Sequence, residues 1–223
     1  MRRLVVPVLF GLVGVAILAG LGLWQVQRLA WKEAVLARIE ARVGAAPVAL
    51  PAAPVPGRDT YLPVRAEGLA GAGGRVLVSM KPVGAGYRMI SVFETGGRKV
   101  LLDRGFLGVD EPSDAGQRQR VDVTGNLHWP DEVDSFTPAP DLDEGLWFAR
   151  DVPAMAAALG TEPVLIVARE ITPPVFSARP VPVGTEGIAN NHLQYAITWF
   201  SLALVWAGMT GLWVWHITRA TDG

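Results

Sequence analysis

The sequence predicts an α+β membrane protein in which two transmembrane helices, one at each end, flank a mainly antiparallel β domain, a small barrel or curled sheet with one short helix. Three observations predict it. No Asp, Glu, Lys or Arg lies between Leu193 and Trp215. None lies between Leu4 and Gln27. The stretch between these runs is divided by glycines and prolines into short segments rich in β-branched and aromatic residues.

The 23 residues from Leu193 to Trp215, at about 1.5 Å each, reach roughly 34 Å as a helix, enough to cross a hydrocarbon core of about 30 Å. Asn190 and Asn191 are good N-cap residues and start this helix at His192. Steps of three and four from His192 give Tyr195, Trp199, Leu202, Trp206, Met209, Trp213 and His216, one face loaded with bulky polarisable side chains. Trp199 and Trp213 fit an interfacial aromatic belt. Trp206 lies near mid-membrane and is expected to pack on the small residues of the first span, Gly11, Gly14, Ala16, Ala19 and Gly20, or on a bound ring.

The N-terminal span runs from about Leu4 to Trp24. Arg2 and Arg3 followed by an apolar run also describe a signal peptide, but the run is long for one and no clear A-x-A site ends it. It reads as a retained anchor. Both termini then lie on one side of the bilayer and the β domain on the other. Charge does not say which, because Arg2 and Arg3 are answered by Arg28, Lys32, Arg38 and Arg42 beyond the span.

The domain boundaries follow as a transmembrane helix over 1–27, a juxtamembrane helix over 28–45, a proline-rich extended linker over 46–60, a β domain over 61–189, a second transmembrane helix over 190–217 and a tail over 218–223. Within the β domain, strands are expected at Arg75 to Met80, Tyr87 to Phe93, Lys99 to Leu107, Arg120 to Leu127 and Val164 to Glu170. Turns are expected at Gly84 to Gly86, at Gly96 with Gly97, and from Asp110 to Gln117. The short helix has Asp151 as N-cap, Pro153 in its first turn and Gly160 as its stop.

Composition excludes several functions. The net charge is −1, with 20 basic and 21 acidic residues and no basic run, so nucleic acid is not an expected partner. The absence of cysteine removes disulfides, CxxC redox pairs, CxxCH haem attachment and cysteine zinc sites. No G-x-S-x-G, H-E-x-x-H or P-loop motif is present, and the Gly71, Gly73, Gly74 cluster lacks the spacing of a dinucleotide site. The acids from Asp131 to Glu144 are interrupted by prolines, lack EF-hand spacing and read as a solvated loop.

Specific strings then coincide with a family. NNHLQYAITWF at the second span, WQVQRLAWK after the first, YLPVRAEG at 61–68, GYRMIS at 86–91, LLDRGFLG at 101–108 and WFARD at 147–151 together resemble the Surfeit locus protein 1 family, assembly factors of cytochrome c oxidase. The likeness covers nearly the whole chain in order. Phe106 stands where many relatives place tryptophan, and the acidic loop varies among them.

The resemblance implies a two-pass protein of the bacterial inner membrane with its main domain in the periplasm. It also implies a part, without catalysis, in delivering transiently bound haem a to oxidase subunit I. Subunit I, haem a synthase and the lipid bilayer are the partners it implies. In the bacterial branch a histidine heading the second span is associated with haem a, and here that position is His192.

An axial donor must come from His128, His192, His216, a methionine or a tyrosine. His192 combines a membrane-border position with the aromatic lining of Tyr195 and Trp199. His216 is 24 residues further on, about 36 Å along the helix, and reads as a snorkelling anchor. The helix N-terminus favours an uncharged imidazole and attracts carboxylates such as haem propionates. Arg28 and Lys32, with Gln25 and Trp31, are expected at the depth of His192, where Arg28 or Lys32 would pair with the propionates. Taken alone, a histidine at this border reads as a polar anchor.

The competing functional reading is a structural chaperone of nascent subunit I with no obligatory haem. A membrane-anchored hydrolase would need a nucleophile and base that the motifs do not supply. Arg65, Arg88 and Arg104 lie in the matching strings, where ion pairing along strands competes with contact to an oxidase subunit. Ion pairing is the reading for Arg88.

Overall fold

The structure, a computed structural model, describes residues 2–80, 84–114, 116–186 and 188–219. In chain order the elements are α1 (Arg2–Val43), β1 (Val48–Ala49), α2 (Pro56–Asp59), β2 (Pro63–Met80), β3 (Gly84–Thr95), β4 (Arg98–Gly108), β5 (Gln119–Leu127), β6 (Leu146–Trp147), α3 (Val152–Leu159), β7 (Leu165–Thr172) and α4 (His192–Arg219). They form two compact units, Met1–Arg38 with Glu186–Gly223, and Ile39–Thr185.

The first unit is an antiparallel pair of helices, each long and apolar enough to cross a membrane. The spacing of small residues on α1 forms it. A Cβ on Gly11 would stand 2.2 Å from Thr210 Cγ2, on Gly14 2.2 Å from the Trp206 indole nitrogen, and on Gly22 2.8 Å from the Phe200 ring. Only hydrogen fits at these positions, so α4 seats three side chains directly on the α1 backbone, as small residues allow in lipid. On α4 the inward positions are Ala196 and Ala203, both buried, with half-buried His192, Trp199, Trp206 and Thr210.

The loaded face expected from the sequence is therefore split. His192 and Trp206 meet groups of α1 and Trp199 is half-buried, while Tyr195, Leu202, Met209 and Trp213 remain 45–65% exposed on the flank. Small residues win the seam because they allow close approach, and the bulky residues fall beside it. Trp206 packs on Gly14 and on Phe10, with ring centroids 5.2 Å apart, whereas Gly20 meets nothing within 4 Å.

In the second unit a curled sheet closes on itself. The order β2-β3-β4-β7-β5 is completed by an additional β5–β2 pairing. β2 supplies the closure: its first half pairs antiparallel with β5 and its second half with β3, with a register shift between Ala70 and Gly73. The interior is filled by Val64, Phe93, Leu102, Val121, Val123, Leu127 and Ile166 from all five strands. Gly68 makes room there, since a Cβ would lie 2.8 Å from the Phe93 ring.

β4 is buried on both faces, Leu102 facing the interior and Leu101 packing with Trp147, Val152 and Met155 beneath α3. Double burial explains why this strand reads as a continuous apolar run rather than an alternating one. α3 forms as its signals require. Asp151 accepts a hydrogen bond from the Ala154 amide at 3.0 Å, and Gly160 closes the helix at φ 66°.

Several boundaries differ from the sequence reading. The juxtamembrane helix is not separate, because α1 runs to Val43 without a break. The 46–60 linker contains β1, paired parallel with β2, and the single turn α2. β2 begins at Pro63 rather than near Arg75, because the glycines and alanines of 66–74 have weak strand propensity and are selected by close approach instead. The sheet is mixed, since β4–β7, β1–β2 and β2–β6 pair in parallel. Gly84 to Gly86 belong to β3, and residues 81–83 lie outside the described set.

One glycine locks the end of the barrel. Gly105 has φ 109°, and a Cβ there would stand 1.9 Å from the Arg179 carbonyl oxygen of the returning chain. Gly105→Ala is expected to cost at least about 2 kcal/mol in thermal or denaturant unfolding, from backbone strain plus displacement of the strap paired at Phe106.

Candidate functional site

Two groups of polar side chains stand out, one in each unit. The first lies at the head of α4. His192 opens the helix, and its Nδ1 is 2.7 Å from Oε1 of Gln25, a residue 8% exposed on α1. With the carboxamide oxygen turned to the ring, Nδ1 is the donor of this bond and Nε2 points away from it. The same arrangement, in which one ring nitrogen donates to an oxygen, orients histidines that bind metals through the other. The Asn191 carbonyl accepts from the Tyr195 amide at 3.2 Å and begins the helical ladder.

Lys32 donates to the carbonyl of Ala189, tying the segment before α4 to α1. Its ammonium retains two further donors. Arg28 is exposed and lies over the Trp31 ring, 4.1 Å from its centroid. The structure thus brings together His192, Gln25 and the backbone held by Lys32. Tyr195 is 53% exposed and points off the seam, and Trp199 is half-buried two turns below His192. No described contact joins Arg28, Tyr195 or Trp199 to the His192 ring. At the far end, His216 packs edge-on against Trp215, on whose face Arg219 also lies.

The second group is a buried ion network in the barrel. Asp103 is fully buried on β4. Its Oδ2 accepts from Arg88 Nε at 2.7 Å and from Arg150 Nη1 at 3.5 Å, and its Oδ1 from the Gly105 amide at 3.0 Å. Arg150 continues to Glu132, which also accepts from the Arg150 amide at 2.9 Å. Burial works against the Glu132 carboxylate, but hydrogen bonding and the charge of Arg150 outweigh it and hold its pKa below the ordinary value. A neighbouring pair joins Arg104 to Asp114 at 2.8 Å, with Arg104 over the Phe176 ring and Asp114 accepting from the Ser177 amide.

The motif strings therefore converge. Arg88 from GYRMIS, Asp103 and Arg104 from LLDRGFLG, and Arg150 from WFARD meet in one region of the barrel. Arg65 pairs across strands with Asp122, with its Nε 2.9 Å from Oδ2. All three arginines singled out in the sequence are engaged with carboxylates of this chain. Sequence reasoning missed Asp103, Glu132 and Arg150. The available signal was a carboxylate inside a continuous apolar strand, since such a residue is rarely buried unpaired.

His128 borders the network and stacks on Tyr61, a non-glycine residue at φ 71°, with centroids 5.4 Å apart. Burial first, and then the charge of Arg150, push its pKa down to about 4. Among the described residues no group of three or more His, Asp or Glu side chains has metal-binding geometry. In the acidic loop, Asp134 accepts from the Phe136 amide and Asp141 from the Glu144 amide, so two of its acids cap their own turns.

A mixed, closed sheet whose sequence is flanked by two helices long and apolar enough to cross a membrane is the architecture of a two-span membrane protein. The sequence model of the SURF1 family matches residues 12–204. The chain is 32% identical to Surfeit locus protein 1 of Homo sapiens, over 92% of this chain and 75% of that protein. It is 29% identical to Surfeit locus protein 1 of Rattus norvegicus, over 92% and 73%, and 30% identical to a SURF1-like protein of Drosophila melanogaster, over 90% and 74%. The chain belongs to the SURF1 family.

Two measurements check the network. Asp103→Ala leaves Arg88 and Arg150 facing an empty buried position and is expected to destabilise the barrel by about 3–5 kcal/mol in denaturant unfolding. Because the unfolded chain protonates His128 near the ordinary value of 6.5 while the folded chain holds it near 4, the unfolded state binds more protons between those limits. Native stability therefore declines as pH falls through that window. His128→Gln is expected to flatten the dependence of unfolding stability on pH between about 7 and about 5, and an unchanged slope contradicts the assignment.

Proposed function

We propose that this protein is an assembly factor for cytochrome c oxidase. In this reading it holds haem a at the periplasmic border of a bacterial inner membrane and assists its insertion into subunit I. It is a carrier, not a catalyst. Family membership supports the oxidase context, and the hydrogen-bonded pair of His192 and Gln25 is the observation that carries the haem reading.

The residues fit the group. Haem a, when bound, supplies an iron that takes an axial nitrogen donor, two propionate carboxylates and a long apolar tail. In this reading Gln25 accepts from Nδ1 of His192, which would leave Nε2 as that donor. Lys32 keeps two N–H donors for a carboxylate beyond its bond to Ala189, and the exposed guanidinium of Arg28 lies one turn of α1 away. Tyr195 and Trp199 offer aromatic surface on the same helix. An apolar groove of about 480 Å³ between α1 and α4, lined by Gly14, Ile17, Leu18, Leu202, Val205, Trp206 and Met209, suits an apolar tail.

That groove also favours a second reading, a structural chaperone that cradles apolar helices of nascent subunit I. The two separate on one preparation: the chain purified in mild detergent from cells that make haem a. His192→Ala is expected to abolish the Soret band. Gln25→Leu is expected to lower loading about 10- to 100-fold, because it frees the ring without removing the donor. Arg28→Ala with Lys32→Ala is expected to weaken loading while leaving the band position unchanged. An unaltered Soret band in His192→Ala overturns the haem reading in favour of the chaperone.

A further inference from the structure

The barrel contains a polar cavity of about 200 Å³ lined by Gly73, Gly74, Arg75, Arg104, Ser113 and Glu144, among others. That volume has room for about six waters. Its walls are unusual in their donors. Arg104 is 2% exposed, its Nη1 donates to Asp114, and its Nε is buried without a partner among the described residues. The Nε of Arg75 is buried and unpartnered in the same way. Buried polar groups in folded chains are overwhelmingly paired, so these two N–H groups, both on residues that line the cavity, call for acceptors that water or a solute there supplies.

The acids nearby do not fill that need. Asp114 is engaged by Arg104 Nη1 and by the Ser177 amide. Glu144 is 69% exposed at its side chain and stands 3.6 Å from Arg75 Nη2, beyond a normal hydrogen bond. Gly73 and Gly74 contribute backbone to its lining, and both are held close to neighbouring groups: a Cβ on Gly73 would stand 1.9 Å from the Ile90 carbonyl oxygen, and one on Gly74 3.0 Å from the Trp147 indole. Burial also lowers the pKa of the Arg104 guanidinium despite the opposing effect of Asp114, a penalty that a further negative charge would offset.

We propose that this cavity binds a small soluble oxyanion, phosphate or a simple carboxylate, through the Nε edges of Arg75 and Arg104. Guanidinium edges recognise both anions through paired N–H donors. Glu144, on its exposed loop, competes for Arg75 and tunes the affinity.

Thermal unfolding of the full chain in mild detergent tests it, with sodium phosphate, sodium acetate and sodium chloride compared at equal ionic strength. Phosphate or acetate is expected to raise Tm in a saturable way above the chloride control, and the stronger of the two identifies the anion class. Arg75→Gln, at a partly exposed position that tolerates change, is expected to abolish the saturable rise. Glu144→Gln is expected to lower the half-saturating concentration roughly two- to fivefold by removing a competing surface charge. A response equal to chloride in both the native chain and Glu144→Gln overturns the proposal, as does a full response in Arg75→Gln.

Discussion

The angular setting of α4 against α1 is the constraint on which the membrane unit depends. Successive residues of a helix are about 100° apart, so a small rotation would remove His192 from Gln25. Three glycines on α1 prevent it by accepting Thr210, Trp206 and Phe200 where no Cβ fits. With those side chains seated, Ala196 and His192 are the next inward positions, and Gln25 lies opposite. Lipid supplies no hydrophobic drive for helix association, so close packing and one well-placed polar pair decide the register.

The barrel solves a different problem, the burial of charge. β4 is covered by the barrel interior on one face and by α3 on the other, and it carries Asp103 through that environment. Two arginines and a backbone amide satisfy the carboxylate. A buried ion pair adds little net stability compared with apolar packing, but losing one partner is costly. The network therefore acts as a register device that ties β3, β4 and the segment before α3 together. It also brings together strings from distant parts of the chain.

Much of this was legible in the sequence because it rests on local rules. The two spans follow from uncharged runs, α3 from Asp151 and Gly160, and most strands from alternation between turn residues. What escaped depends on tertiary contact. The first half of β2 is rich in glycine and alanine because Phe93 and the β3 backbone press against it, a requirement invisible along the chain. The aromatic face of α4 was overread, since residue size along a stripe does not reveal that small residues take the seam. At the candidate site His192 was legible as a polar residue heading an apolar span. Its Gln25 partner was legible only as a residue at similar depth, and the Asp103 network only as scattered arginines.

The central claim is that Nε2 of His192 is an iron donor. The most direct measurement uses the chain with His128→Gln and His216→Gln, leaving His192 as its only histidine, labelled with ¹⁵N-histidine and purified with haem. Hyperfine spectroscopy of the ferric haem is expected to show coupling to a labelled imidazole nitrogen. Haem bound at full occupancy without that coupling would contradict the account.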